Sequence, residues 1–183
     1  VIFFSPSSRH TAFAGSGSSR QLCDHIIRTG AKKVLVVTDK PLRDLGVVDK
    51  AIAALINSGI DIAYYDGVLP DPTFDQVAAG AAIARTHGSE VVLAIGGGSS
   101  MDAAKIIAAA ATSTASPADW VGVGKIKHQI LKLFAIPTTS GTGSEATIGA
   151  VISNAATHEK TIIMGDKLLP LAVALDADLM LGL

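Results

Sequence analysis

The order of residues predicts an α/β fold, a mostly parallel sheet flanked by helices, on three observations. Short β-branched apolar runs alternate with helical stretches through most of the chain. Those runs are apolar at nearly every position, as strands covered on both faces are, and the helical stretches close on glycine. Near the C-terminus the alternation gives way to two apolar runs around a polar turn, the pattern of a short antiparallel hairpin.

Taken in order, Ser19–Thr29 reads as a helix ended by Gly30, and Lys33–Thr38 as a buried strand. Val48–Ser58 reads as one helix ended by Gly59, and Asp61–Tyr65 as the next strand. Thr73 and Gln76 form a capping-box pattern that opens a helix over Thr73–His87, which Gly88 closes. Val91–Ile95 is a strand, Ser99–Ala111 an alanine-rich helix able to lie close on a sheet, and Leu131–Ile136 a fourth strand. Between them Thr112–Gly124 reads as a loop around a short helical turn. Ala150–Ser153 and Lys160–Ile163 form the hairpin around Asn154–His158, and Leu171–Leu175 is a last short strand. Strand–helix alternation of this kind calls for right-handed crossovers.

Composition narrows the function classes. The 183 residues carry 15 Lys and Arg against 16 Asp and Glu, a net charge of −1, which argues against a nucleic-acid surface. At 17% charged residues and a mean hydropathy of +0.44 the chain is too apolar for disorder, and the excess suggests a surface meant to be covered. No apolar run approaches the ~20 residues of a membrane span, and Val1–Phe4 is too short for a signal peptide. The missing initiator Met suggests processing or trimming, and the expected location is cytoplasmic. Cys23, the single cysteine, sits among Leu22, Ile26 and Ile27 and reads as helix packing.

Chemistry concentrates at strand ends. Gly96-Gly97-Gly98-Ser99 follows a buried strand and opens a helix, where free N–H groups and the helix dipole favour an anion. A tight turn alone needs one or two glycines, so three in a row point to phosphate. Asp102 and Lys105 follow on the first two turns of that helix, as a solvated pair or as part of the site. Gly15-Ser16-Gly17 also precedes a helix, with Asp39 at a strand end about 20 residues later, much as in a dinucleotide fingerprint. Arg20 stands where the third glycine belongs, so two phosphate loops compete. Asp39 suits a ribose diol, or else is an N-cap or a turn Asp before Pro41. Pro137–Glu145, a loop of hydroxyls and glycines, follows a third strand and either lines a ligand or is a polar loop. His10, His25, His87, His128 and His158 are scattered without metal-ligand spacing, and Ser140 sits in no nucleophile elbow.

Gly96-Gly97-Gly98-Ser99-Ser100-Met101-Asp102-Ala103-Ala104-Lys105 resembles the GGGSxxDxxK motif of the iron-containing alcohol dehydrogenases, and Pro137–Glu145 resembles their PTTxGTGSE loop. Asp66–Thr73 and Asp176–Leu179 are similar to two further segments, and the likeness runs in order from about Arg9 to Leu183. The tail and Asp39 look closest to the lactaldehyde/1,2-propanediol oxidoreductase branch. The resemblance implies a Rossmann-like NAD(H)-binding domain over residues 1–183. It implies pyrophosphate on Gly97, Gly98 and Ser99, the adenine ribose at Asp39, and Asp102 near the nicotinamide. Thr138, Thr139, Thr142, Lys160 and Leu179 would line the cofactor cleft, and Gly15 and Gly17 would serve close packing. It further implies a helical domain beyond Leu183 holding the metal, expected to be Fe²⁺, through an Asp and three His. This chain stops before them, so no catalytic residue and no metal ligand is expected within it, and it should do little chemistry alone. In the whole enzyme hydride would pass between NAD and a small alcohol or aldehyde whose oxygen the metal polarises. A glycerol dehydrogenase or dehydroquinate synthase relative and a stand-alone nucleotide-binding module are the alternatives, and homo-oligomerisation is left open.

Overall fold

The computed structural model describes residues 2–7, 10–157 and 159–181. Arg9 and Leu183, the ends of the family likeness, and His158 lie outside the described residues. Six strands lie parallel in the order β2 (His10–Ala14), β10 (Ala172–Leu175), β7 (Lys132–Pro137), β5 (Val91–Gly96), β3 (Lys33–Val37) and β4 (Asp61–Tyr65). β1 (Ile2–Ser7) adds an antiparallel edge beside β2. A second sheet of three strands joins β8 (Gly149–Ser153) and β9 (Lys160–Met164), antiparallel as expected, to the two-residue β6 (Gly122–Val123).

Alternate residues of the central strands feed two cores. Val34, Val36, Leu93, Ile95, Phe134 and Ile136 face α1 (Ser18–Arg28) and the short helices α2 (Lys40–Asp44), α3 (Val47–Ala51) and α4 (Ala53–Asn57). Leu35, Val37, Val92, Ala94, Leu133 and Ala135 face α5 (Phe74–His87), α6 (Gly98–Ala110) and the small sheet. The Ala-rich α6 is buried at most of its positions, which only short side chains permit in a layer between two sheets. Strands buried on both faces explain the unbroken apolar runs that made them legible.

Four details differ from the sequence reading. β1 and β2 were not expected; β2 mixes His and Thr with apolar residues and shows no continuous run. The short helix α2 was not expected, since no apolar period announces it, though the N-cap at Asp39 was one of the alternatives there. The helix expected over Val48–Ser58 is broken at Ile52 (φ −104°, ψ 14°), and the break seats Val48, Ile52 and Leu55 together in the core. The capping box at α5 is only half made. Gln76 N–H donates to Thr73 Oγ1 at 3.4 Å, but Gln76 Oε1 accepts from Leu69 N–H and so ties the Asp66–Pro72 loop to the helix.

Candidate functional site

Strand order reverses between β3 and β5: the chain leaves β3 for β4 on one side and later passes from β5 to β7 and β10 on the other. Ligands of open α/β sheets bind outside the carboxyl ends at such a point. Asp39 follows β3 here, Gly96–Ser99 spans the junction of β5 and α6, and Thr138 follows β7, its N–H donating to Gly96 O at 2.9 Å.

The three glycines divide by role. Gly96 has φ 146°, and a Cβ there would lie 2.5 Å from Ser100 Oγ, so the fold itself requires glycine. Gly97 (φ −85°) and Gly98 are in ordinary backbone conformations. A Cβ on Gly97 would meet only Thr139 Oγ1 at 3.2 Å, and one on Gly98 would meet Ser144 Oγ at 3.4 Å and Thr142 at 3.6 Å. Neither glycine is demanded by packing or by φ, so both leave room above the end of α6. No side chain caps that end, and the first N–H groups of a helix have no intrahelical acceptor. Such a pole attracts an anion.

One recess opens at this turn and a second beside the next turn of α6, at Asp102. The first, about 420 Å³, is lined by Asp39, Leu42, Leu69, Gly97, Ser99 and Thr139 among others, with Gly98 and Thr138 also in its wall. Asp39 Oδ1 accepts from Leu42 N–H at 3.0 Å as the cap of α2, and Oδ2 lies beside Gly96. The second recess, about 570 Å³, is mostly apolar, with Ile148, Val151, Ile162 and Met164 around Asp102, Thr142 and Ser144. Asp102 Oδ2 accepts from Val151 N–H at 2.9 Å, while the buried Oδ1 has no hydrogen-bond partner. Burial raises the Asp102 carboxyl, against the lowering effect of the Val151 N–H, Lys105 and Ser144. A larger recess of about 640 Å³ beside Leu131, Leu133 and Leu171 lies at the amino ends of the strands, the wrong edge for this chemistry.

The competing loop at Gly15–Gly17 already holds an anion. The Asp176 carboxylate accepts from Gly17 N–H and Ser19 N–H, each at 3.0 Å, and from Ser19 Oγ at 2.6 Å, so it fills the pole of α1. Its burial would raise the carboxyl, but these bonds and Asp178 N–H outweigh it and hold it below the usual range. A Cβ on Gly17 would meet nothing within 4 Å, so the expected close packing there is not made; φ 72° is what calls for glycine.

Of the residues singled out from sequence, Asp39, Gly97, Gly98, Ser99, Thr138 and Thr139 share the first recess, and Asp102 and Thr142 the second. Lys160 lines neither; its ammonium is 2.7 Å from Asp71, and both side chains are exposed. Leu179 is buried in the core beside α1. The apolar walls, Leu42 and Leu69 in one recess and Ile148, Ile162 and Met164 in the other, were missed because single apolar residues in loops and strands carry no signal of their own. Among the described residues, no group of three His, Cys, Asp or Glu side chains could hold a metal ion, and no helix is long and apolar enough to cross a membrane.

Comparison with known proteins agrees with this geometry. Residues 10–177 match the family model described as iron-containing alcohol dehydrogenase. The chain is 37% identical over 172 residues to alcohol dehydrogenase 4 of Saccharomyces cerevisiae (strain YJM789), covering 94% of this chain and 45% of that protein. It is 35% identical over 175 residues to lactaldehyde reductase of Escherichia coli (strain K12), covering 94% and 46%, so the lactaldehyde branch is not set apart from its relatives. The crystal structure of sulfoacetaldehyde reductase from Bifidobacterium kashiwanohense in complex with NAD+ superposes with a TM-score of 0.88 at 31% identity, covering 100% of this chain and 48% of that one. The chain thus spans about half the length of the curated relatives it matches. With both motif loops set at the carboxyl ends of a parallel sheet and the family model matching nearly throughout, the chain belongs to the iron-containing alcohol dehydrogenases.

Proposed function

We propose that this chain is the NAD(H)-binding half of an iron-dependent alcohol dehydrogenase that moves hydride between NAD and a small alcohol or aldehyde. The observation that carries the reading is the room left at Gly97 and Gly98 above an uncapped helix end, which neither packing nor backbone conformation explains. The pyrophosphate belongs there, on the N–H groups of Gly98 and Ser99. Asp39 Oδ2 takes the adenine ribose hydroxyls, and Thr138, Thr139 and Thr142 supply hydroxyls along the cleft. Asp102, in the wall of the apolar second recess, lies at the nicotinamide end of the cleft. When bound, the nicotinamide supplies the hydride acceptor; the chain's own residues bind and orient it. Lys160 and Leu179 stay in the proposal as neighbours of the cleft, on resemblance alone. The described residues offer no group of three His, Cys, Asp or Glu side chains for iron. A second, helical half is proposed to bring the metal and most of the substrate pocket, in a cytoplasmic enzyme.

Two expected results test this. Asp39→Gly in the full-length enzyme should lower the preference for NAD over NADP at least tenfold in kcat/KM, because a carboxylate at the ribose repels a 2′-phosphate. An unchanged ratio removes Asp39 from the site. Purified on its own, the 183-residue chain should bind NADH yet hold no stoichiometric metal and reduce no NAD with alcohol. Elemental analysis and a dehydrogenase assay check both, and turnover with a bound ion would mean that the active site lies within this half.

A further inference from the structure

The small sheet shows one face to the second recess, and that face is apolar where the outer face of an antiparallel sheet is ordinarily polar. Along β9, Ile163 points into the core while Ile162 and Met164 point out; along β8, Ala150 and Ile152 point in and Val151 out. Val151 and Ile162 are direct cross-strand partners, 37% and 54% exposed, and both line the recess with Met164 and Ile148. Lys160, two residues before Ile162 on the same face, lies outside the recess, so the face turns apolar only where the recess begins. The polar groups of the recess come from other elements and are mostly engaged. Thr147 Oγ1 accepts from the Lys105 ammonium beneath it at 3.0 Å, and Thr142 Oγ1 accepts from Ser144 N–H at 3.4 Å. Lys105 is 1% exposed and donates a second bond to Gly149 O at 2.6 Å, so its ammonium is not open to the recess. Among the described residues no Lys, Arg or His side chain lines it, and Asp102 is the one charged group there. A carboxylate or spare hydroxyl entering would shed water without gaining a partner, whereas a hydrocarbon chain gains by leaving water.

We propose that the Val151–Ile162 pair selects the substrate: it seats the uncharged alkyl chain of the reacting alcohol or aldehyde, so that simple aliphatic alcohols are taken and polyols and hydroxyacids are turned away. The pair lies at the nicotinamide end of the cleft, where the carbon that exchanges hydride has to sit, and the chain on that carbon must run along a wall. The proposal rests on the NAD reading, and the two fail on different results.

In the full-length enzyme with saturating NAD, kcat/KM should rise about fourfold per methylene from ethanol through n-propanol to n-butanol, the factor that ~0.8 kcal/mol per buried CH₂ gives. Glycerol should fall at least about a hundredfold below n-propanol, and γ-hydroxybutyrate as far below n-butanol, because their extra polar groups are left unpaired. Ile162→Ser should flatten the rise to less than about twofold per methylene while costing ethanol less than about threefold. Val151→Thr, which exchanges one methyl for a hydroxyl, should flatten it in part, and it stands as the test should Ile162→Ser not fold. An equal loss for ethanol and n-butanol would make the pair a seam against the second half and overturn the proposal. A flat wild-type series, or glycerol turned over like n-propanol, would overturn it too. The NAD reading fails instead if NADH does not bind in a fluorescence titration while the alcohol series still rises with NADP as cofactor. No turnover of any alcohol with either cofactor would sink both.

Discussion

Gly97→Val is expected to raise the Kd for NADH by at least a hundredfold, about 2.8 kcal/mol, while lowering stability by only about 1 kcal/mol. The asymmetry comes from where the added atoms go. Gly97 has φ −85°, open to any residue, and its nearest protein neighbour is a Thr139 hydroxyl that can turn aside. The branched side chain therefore costs the fold little and takes the space reserved for the pyrophosphate. Gly17→Val should behave in the opposite way. Its surroundings are empty, but φ 72° strains a β-branched residue by about 1–3 kcal/mol, so the melting temperature drops and the NADH affinity does not. Fluorescence titration beside thermal melts of both variants decides the matter; the reverse pattern would move the pyrophosphate to the Gly15–Gly17 loop.

Asp176→Ala is expected to cost about 3 kcal/mol, near 6–12 °C in melting temperature for a domain of this size. The substitution removes the acceptor of Gly17 N–H, Ser19 N–H and Ser19 Oγ at a position only 2% exposed, leaving the buried Ser19 donors without this partner. The pH dependence follows from a carboxyl held below its usual value in the folded state. Such a group stabilises fully above the unfolded pKa of about 3.9, and its contribution fades as the pH falls through the lower folded value. Wild type and Asp176→Ala should therefore differ most near neutrality and converge in strong acid. Equal melting temperatures at pH 7 would show that water replaces the carboxylate without loss.

The difference between the two glycine loops also shows where sequence reading stops. Both were visible as glycines ahead of a helix, and the strands β3, β5 and β7 were visible as buried apolar runs, with the half-buried edge strand β4 legible from its apolar residues after Asp61. What separates the loops is Asp176, 157 residues from Ser19, which fills one pole and leaves the other open. Local pattern carries no information about that pairing. The same limit hid β2, which owes its place to β10 rather than to its own propensity, and the break at Ile52, where tertiary burial overrides a continuous helical period. Asp102 was legible as a candidate from its spacing, but its orphaned oxygen and the lysine beneath it depend on β8, some fifty residues on.

The place of β2 in the sheet also governs the order of assembly during synthesis. Its partners are β1 and β10, so the second strand to be made joins the parallel sheet only through the last. At ribosomal rates of about 5–20 residues per second, the roughly 160 residues between them take about 8–32 s to emerge. Through that interval the β1–β2 hairpin has its own ladder and no seat, and the β7 edge that β10 will cover stays open. The nascent chain thus holds two unsatisfied strand edges at once, where a chaperone has most to shield, and completion of β10 closes both in one step.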